Sequence, residues 1–258
     1  MRMSDALDGE HRHSPARVLV CRGLHGENPG EWRMLMRDVR FRRALSLAID
    51  REDLNESVYL GLAKPSNNTV MERSPLFKPE YATKWAQYDP KQANQLLDEL
   101  GLTKRNDLGI RLLPDGRSAT IIVEHPGEAT EEADVLTLVE DHYKKVGLKL
   151  VHRKQDTNNF RLRVFSGEAI MTAYAGYTTA VPTADASPGE FCPTQQGGLQ
   201  WSRWGMFVQS NGKQGEKCDF QPVVQLLDLY RQWQKAPDEA ARRKAWDQIL
   251  SINVDQVF

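Results

Sequence analysis

Apolar residues recur at helical spacing in the segment from residue 38 to residue 61. The positions at i, i+3, i+4, i+7 and i+8 are all apolar, which predicts a helix with one apolar face. They are Phe41, Ala44, Leu45, Ala48 and Ile49. Asp50 can cap a second helix with Asp53 three residues further on, and Gly61 is placed to end it. The pattern therefore predicts two helices in tandem.

Helical and extended patterns alternate through the rest of the chain. Asp89 followed by Pro90 predicts a helix start, and Gly101 a helix end. The segment Asp107–Gly116 is rich in turn formers and predicts a hairpin. A further helix begins at Thr130 and is stopped by Gly147. Strands are predicted at 119–123, 148–151 and 169–175, and other helices at 160–165, 222–234 and 237–257. Short connections between such elements predict an α/β fold with a mostly parallel sheet covered by helices.

Composition and charge exclude several classes of protein. The chain has 258 residues, 40% of them hydrophobic and 27% charged, with a formal net charge of -1. Such a balance argues against a nucleic-acid partner, and no apolar run is long enough to enter a membrane. Arg40, Arg42 and Arg43 lie beside or opposite the apolar stripe, close to Asp38 and Asp50. We therefore expect these arginines to form a solvated or salt-bridged face rather than a nucleic-acid patch.

Cysteines, histidines and acidic residues give no catalytic or metal-binding pattern. Cys192 and Cys218 can pair in an oxidising compartment or remain free thiols, and both alternatives stay open. His125 and His152 are scattered along the chain, while His142 lies on an apolar helix face and is expected to be a satisfied core histidine. No nucleophile, zinc or phosphate-loop motif is present. We predict no catalytic residues, no metal and no cofactor.

The stretch from Tyr174 to Trp204, rich in aromatic and amide side chains, is predicted as a loop after the third strand. Loops at the carboxyl ends of parallel strands are the usual ligand-binding places of α/β sheets. Aromatic faces stack on sugars or apolar side chains, and amides supply directional hydrogen bonds. The alternative interpretation is that Trp201 and Trp204 only anchor the loop onto the core. The predicted ligand-binding residues are Tyr174, Tyr177, Gln200, Trp201 and Trp204.

The sequence of residues 38–61 resembles that of the family 5 solute-binding proteins of bacterial ABC importers, the peptide, nickel and oligosaccharide class. The resemblance rests on the RFRRALSLAIDR segment, on a G-x-x-x-P turn at Gly61–Pro65 and on a YDP-x-x-A-x-x-LLDE-x-GL segment at Tyr88–Leu102. It implies the C-terminal lobe of a periplasmic-binding-protein-like II fold, without the N-terminal lobe. On this basis residues 38–258 are the lobe, truncated at its C-terminus, and residues 1–37 an atypical polar segment.

The resemblance also implies a function and partners. A solute, a peptide or an oligosaccharide, is captured between two lobes and delivered to ABC permease subunits, without direct membrane insertion. The location is periplasmic by family, although the polar N-terminus lacks a recognisable signal peptide. We therefore expect the chain to be a fragment of a longer protein and inactive alone.

One departure from the family pattern bears on the solute. Peptide-binding relatives carry an acidic residue after the third strand, whereas residues 175–180 here contain none. This departure weakens a peptide assignment and leaves sugars open. A stand-alone protein-interaction module is the alternative function, and a hydrolase has no motif in its favour.

Overall fold

The computed structural model describes residues 20–21, 30–127, 130–174 and 181–258. A helical part comes first, with α1 (Gly30–Arg37), α2 (Val39–Leu47), α3 (Arg51–Tyr59), α4 (Pro79–Thr83) and α5 (Pro90–Glu99). The sheet region follows, with β2 (Thr120–His125), α6 (Thr130–Lys145), β3 (Lys149–Lys154), α7 (Thr157–Ser166) and β4 (Met171–Thr172), while β1 (Val20–Cys21) precedes all of these elements. The last part contains 3₁₀ turns at Pro188–Phe191 and Gln196–Gly198, then α8 (Ser202–Gln209), α9 (Gln221–Lys235) and α10 (Glu239–Gln256).

The sheet has the strand order β1-β4-β2-β3. Strand β2 pairs in parallel with β3 on one side and with β4 on the other, and β1 pairs antiparallel with β4. The chain leaves β2 through α6 to reach β3, then returns through α7 past β2 to β4. This arrangement confirms the predicted α/β class with a mostly parallel sheet. The third strand is shorter than predicted, and residue 175 lies outside the described residues.

Helix caps form where the sequence predicts them. The Asp50 carboxylate accepts a hydrogen bond from the backbone N of Asp53 at 3.2 Å, and Asp89 caps α5 ahead of Pro90. Helix α3 ends one residue earlier than expected, because Leu60 takes the left-handed cap position with φ 54° and Gly61 follows it with φ 73°. The tandem helices are confirmed in all other respects.

The main hydrophobic core joins the helical part to the sheet. The predicted stripe of α2 is buried throughout, and α6 and β3 bury apolar residues against the same core. Helix α1 belongs to this core as well, since Trp32 lies edge-on to Phe41 with ring centroids 6.2 Å apart. The predicted division of the chain at residue 38 therefore falls between two helices that pack together; the division itself stays a prediction.

The expectation of a solvated or salt-bridged arginine face is wrong for Arg42. Arg40 does form an ion pair with Asp38, at 2.7 Å. Arg42, in contrast, is 1% exposed and donates hydrogen bonds to the backbone oxygens of Met36 and Gln256. The helix buries this guanidinium because carbonyl oxygens of the chain's last turn are within reach of it. Arg42 is thus a structural tie between α2 and the end of α10.

His142 is a satisfied core histidine, as the apolar helix face predicts. Its Nε2 lies 2.8 Å from Oδ2 of Asp53, and its Nδ1 accepts from the backbone N of Asp50 at 3.3 Å. Cys192 and Cys218 are free thiols in the structure. Burial raises the pKa of Cys218 to about 11 and the pKa of Cys192 further still, which keeps both thiols protonated near neutral pH.

Candidate functional site

The carboxyl ends of β2 and β4 lie side by side in the sheet. From β2 the chain turns to β3 on one side, whereas β4 lies on the other side, so the two strands flank a topological switch point. Helices cover both faces here: His125 approaches Glu132 of α6, and the preceding Glu124 pairs with Arg163 of α7. In α/β folds, the crevice beyond such strand ends is the preferred ligand-binding place.

Tyr174, the last described residue after β4, belongs to a small hydrophobic cluster at this edge. Its ring stacks on Phe160 of α7, with centroids 5.7 Å apart and an interplanar angle of 24°. Val164 and Ala169 complete the buried part of the cluster, and Leu199 from the following loop packs against it. The structure thus brings the predicted Tyr174 together with the loop that the sequence singled out.

The loop from residue 195 to residue 200 is held in a strained conformation. Leu199 has φ 46° and ψ −41°, a region that residues with a Cβ rarely adopt and that costs about 1–3 kcal/mol. Gly205 of α8 fits under the loop only because it lacks a side chain, since a Cβ there would overlap the carbonyl of Gln195. Strained backbone conformations are concentrated at ligand-binding sites, and this makes the loop a candidate part of the site.

The other predicted ligand contacts are buried behind the loop. Gln200, Trp201 and Trp204 are 5%, 2% and 0% exposed. Trp201 lies perpendicular to Phe258 with ring centroids 5.4 Å apart, and Trp204 faces Phe220 at 6.4 Å. This burial agrees with the anchoring interpretation of the two tryptophans, and ligand contact by them stays a prediction. Tyr177 lies outside the described residues.

Sequence reasoning missed a buried ion pair between β2 and α7, the helix that carries Phe160. Glu124, 2% exposed, accepts two hydrogen bonds from Arg163, from Nε at 2.7 Å and from Nη2 at 2.8 Å. Hydrogen bonding to Glu124 raises the pKa of Arg163 above its ordinary range. This bidentate pair fixes α7, and with it Phe160, against the central strand. A glutamate inside an apolar strand was the signal that could have revealed it.

The interpretation of His125 and His152 as scattered is wrong. Both side chains lie on one face of adjacent parallel strands, and His125 Nε2 is 3.4 Å from His152 Nδ1.

Across residues 20–21, 30–127, 130–174 and 181–258, no three histidine, cysteine or acidic side chains surround a common point suited to a metal ion. No helix within these same ranges is both long and apolar enough to cross a bilayer.

Known proteins share this architecture. The oligopeptide-binding protein OppA superposes with a TM-score of 0.77 at 29% identity, over 92% of this chain and 40% of that one. The periplasmic binding protein MelB of Agrobacterium fabrum, solved in complex with stachyose, superposes with a TM-score of 0.71 at 16% identity, over 93% of this chain and 36% of that one. The fold is therefore that of a periplasmic binding protein, of which this chain covers a part.

Sequence comparisons narrow this class to one family. Residues 24–198 match the model for the bacterial extracellular solute-binding proteins, family 5 Middle. A probable ABC transporter-binding protein of Deinococcus radiodurans is 28% identical over 225 residues, 82% of this chain and 35% of that protein. A putative ABC transporter peptide-binding protein of Brucella ovis is 32% identical over 132 residues, 51% of this chain and 22% of that protein. The chain belongs to the family 5 solute-binding proteins and spans about a third or less of these two relatives.

Proposed function

We propose that this chain supplies one lobe of the substrate-binding component of an ABC importer. The family match over residues 24–198 carries the proposal, and the named relatives are binding proteins of such transporters. The second support is the switch-point edge, where Tyr174 and the strained loop meet. A clamp of two lobes couples closure to solute binding because only the closed state contacts the solute from both sides.

The chemistry of the edge supports a class of solute. Tyr174 is half-buried on Phe160, so it offers a pre-positioned aromatic surface next to the amide-rich loop. Such a surface accepts the apolar face of a sugar ring or an apolar side chain, with amides giving directional hydrogen bonds. One relative is named as peptide-binding, and MelB was solved with an oligosaccharide. We therefore propose that the solute is peptide- or oligosaccharide-like and that it is delivered to the permease subunits at the outer face of the cytoplasmic membrane.

Titration calorimetry of the chain alone is the first test. A single lobe contacts a solute from one side only. Peptide and oligosaccharide pools should therefore give no binding tighter than a Kd of about 1 mM, which corresponds to a binding free energy of roughly −4 kcal/mol. Micromolar binding by the isolated chain would contradict the one-lobe proposal.

The second test supplies the rest of the family fold. The chain is mixed with a separately produced protein that contains the remaining parts of the Deinococcus relative, and tryptophan fluorescence is followed during solute addition. We expect a solute-dependent change that Tyr174→Ala abolishes and that Tyr88→Ala, at an exposed tyrosine away from the edge, leaves intact. Equal responses from both variants would remove Tyr174 from the site.

A further inference from the structure

Two histidines converge towards the carboxyl ends of β2 and β3, on the face that α6 covers. His125 Nε2 and His152 Nδ1 are 3.4 Å apart, and the ring centroids are separated by 5.5 Å. His125 is 1% exposed, whereas His152 is half-buried and reaches the surface. The two imidazoles therefore form a pair that is fixed on one side and accessible on the other.

The spacing of the two nitrogens suits a shared metal ion. Zinc binds imidazole nitrogens at about 2.0–2.1 Å with tetrahedral geometry, which places two nitrogen ligands roughly 3.4 Å from each other. An N–H···N hydrogen bond prefers a shorter separation, near 3 Å. The observed 3.4 Å thus matches two ligands of one ion better than a direct hydrogen bond.

A carboxylate stands behind the buried histidine. Oε2 of Glu132, on α6, lies 3.4 Å from Nδ1 of His125, and both atoms are buried without a hydrogen-bond partner in the structure. Buried polar atoms without partners require an explanation, and a proton on Nδ1 of His125 that points at Oε2 of Glu132 is one. When Nε2 of His125 binds a metal, its proton resides on Nδ1 and is directed at Glu132. Metal-binding histidines commonly donate to a carboxylate in this way.

We propose that His125 and His152 bind a divalent transition-metal ion, with Zn²⁺ as the reference ion and Glu132 as the carboxylate that orients His125. The described residues provide no third ligand around one point, so the remaining coordination positions belong to water. The site is independent of the solute-binding proposal, because it uses neither the loop nor a second lobe.

The test is a Zn²⁺ titration of the full chain after treatment with EDTA. We expect one Zn²⁺ per chain with a Kd below about 10 μM, equivalent to roughly 7 kcal/mol, and at least a tenfold loss in His152→Gln. His152 is the variant of choice because its half-exposed position makes the substitution tolerable for folding. Glu132→Gln should weaken binding by about 10–100-fold while leaving the stoichiometry unchanged.

A matched control separates this site from the N-terminal histidines. The double variant His11→Gln/His13→Gln removes two histidines that are close together in sequence, and it should bind Zn²⁺ like the parent. Co²⁺ loaded in place of Zn²⁺ should give visible absorption that His152→Gln abolishes. Unchanged affinity in His152→Gln, or no binding tighter than a Kd of about 100 μM (roughly 5.5 kcal/mol), would overturn the proposal and leave a plain histidine contact.

Discussion

Replacing Arg42 by methionine tests whether its buried guanidinium ties the second helix to the end of the chain. The side chain donates to the backbone oxygen of Met36 at 2.6 Å, and to the backbone oxygen and Oε1 of Gln256 at 2.7 and 2.8 Å. The guanidinium also lies over the ring of Phe258, 4.9 Å from its centroid. Methionine retains the length and apolar character of the stem, so the change removes mainly the polar interactions.

The magnitude follows from the interactions that methionine cannot make. Three hydrogen bonds at about 1–1.5 kcal/mol each give roughly 3–4 kcal/mol. The cation–π interaction with the aromatic ring adds about 1 kcal/mol. Removing a buried charge recovers part of its desolvation cost, whereas the carbonyl of the buried Met36 loses its hydrogen-bond partner. We therefore expect the free energy of unfolding to fall by about 3 kcal/mol, a large share of the 5–15 kcal/mol typical of a folded domain.

Urea unfolding followed by tryptophan fluorescence and circular dichroism measures this decrease. The midpoint should fall while the slope with denaturant stays constant, which identifies a change in the free energy of unfolding. Arg40→Met is the matched control, because Arg40 pairs with Asp38 at the surface and should change the midpoint far less. A decrease below about 1 kcal/mol for Arg42→Met would refute the role of Arg42 as a tie.

Three further predictions follow from single contacts. Hydrogen bonds from Arg40 lower the pKa of Asp38. The ionised carboxylate therefore stabilises the fold at pH values above its unfolded pKa of 3.8, and this contribution is lost as the pH falls through the folded pKa. Asp38→Asn should be less stable than the parent at pH 6 and equally stable in strong acid, and a stability difference that does not change with pH would contradict this. Gly205→Ala should cost about 1–3 kcal/mol in urea unfolding and expose the loop to proteases, because a Cβ would overlap the backbone of Gln195; Gly197→Ala, which has open space, is the control, and equal stability of the two variants would argue against the overlap. Cys192 should react with iodoacetamide at pH 8 only in urea, as peptide mapping would record, since burial raises its pKa; labelling of the native chain would be the contrary result.

Local signals explain why much of the fold could be predicted from the sequence. The stripe on α2 has a helical period, and Asp50 and Asp89 lie where the first free N–H groups of a helix need an acceptor. These signals depend on residues within one turn of each other, so they need no knowledge of the tertiary fold. The parallel sheet follows from the alternation of such elements, because short helical crossovers leave few other topologies.

Arg42 and the histidine pair could not be predicted because their partners are distant in sequence. Charge near other charges on a helix ordinarily indicates a solvated face, yet Gln256 brings its carbonyl to Arg42 from 214 residues away. His125 and His152 meet only because β2 and β3 are neighbours in a particular register. A one-residue slip of that register would place the two imidazoles on opposite faces of the sheet.

The candidate site combines both kinds of information. A strand followed by an aromatic loop predicted a site at the carboxyl ends of the strands, and Tyr174 lies there against Phe160. Aromatic content alone, however, does not distinguish a ring that faces solvent from one that packs in the core, and both Trp201 and Trp204 are buried in this structure. What separates the two roles is the conformation of the loop itself, set by Leu199 in its strained backbone state and by the missing side chain of Gly205. The surface that the proposed solute would meet at this edge therefore depends on residues that need not contact the solute.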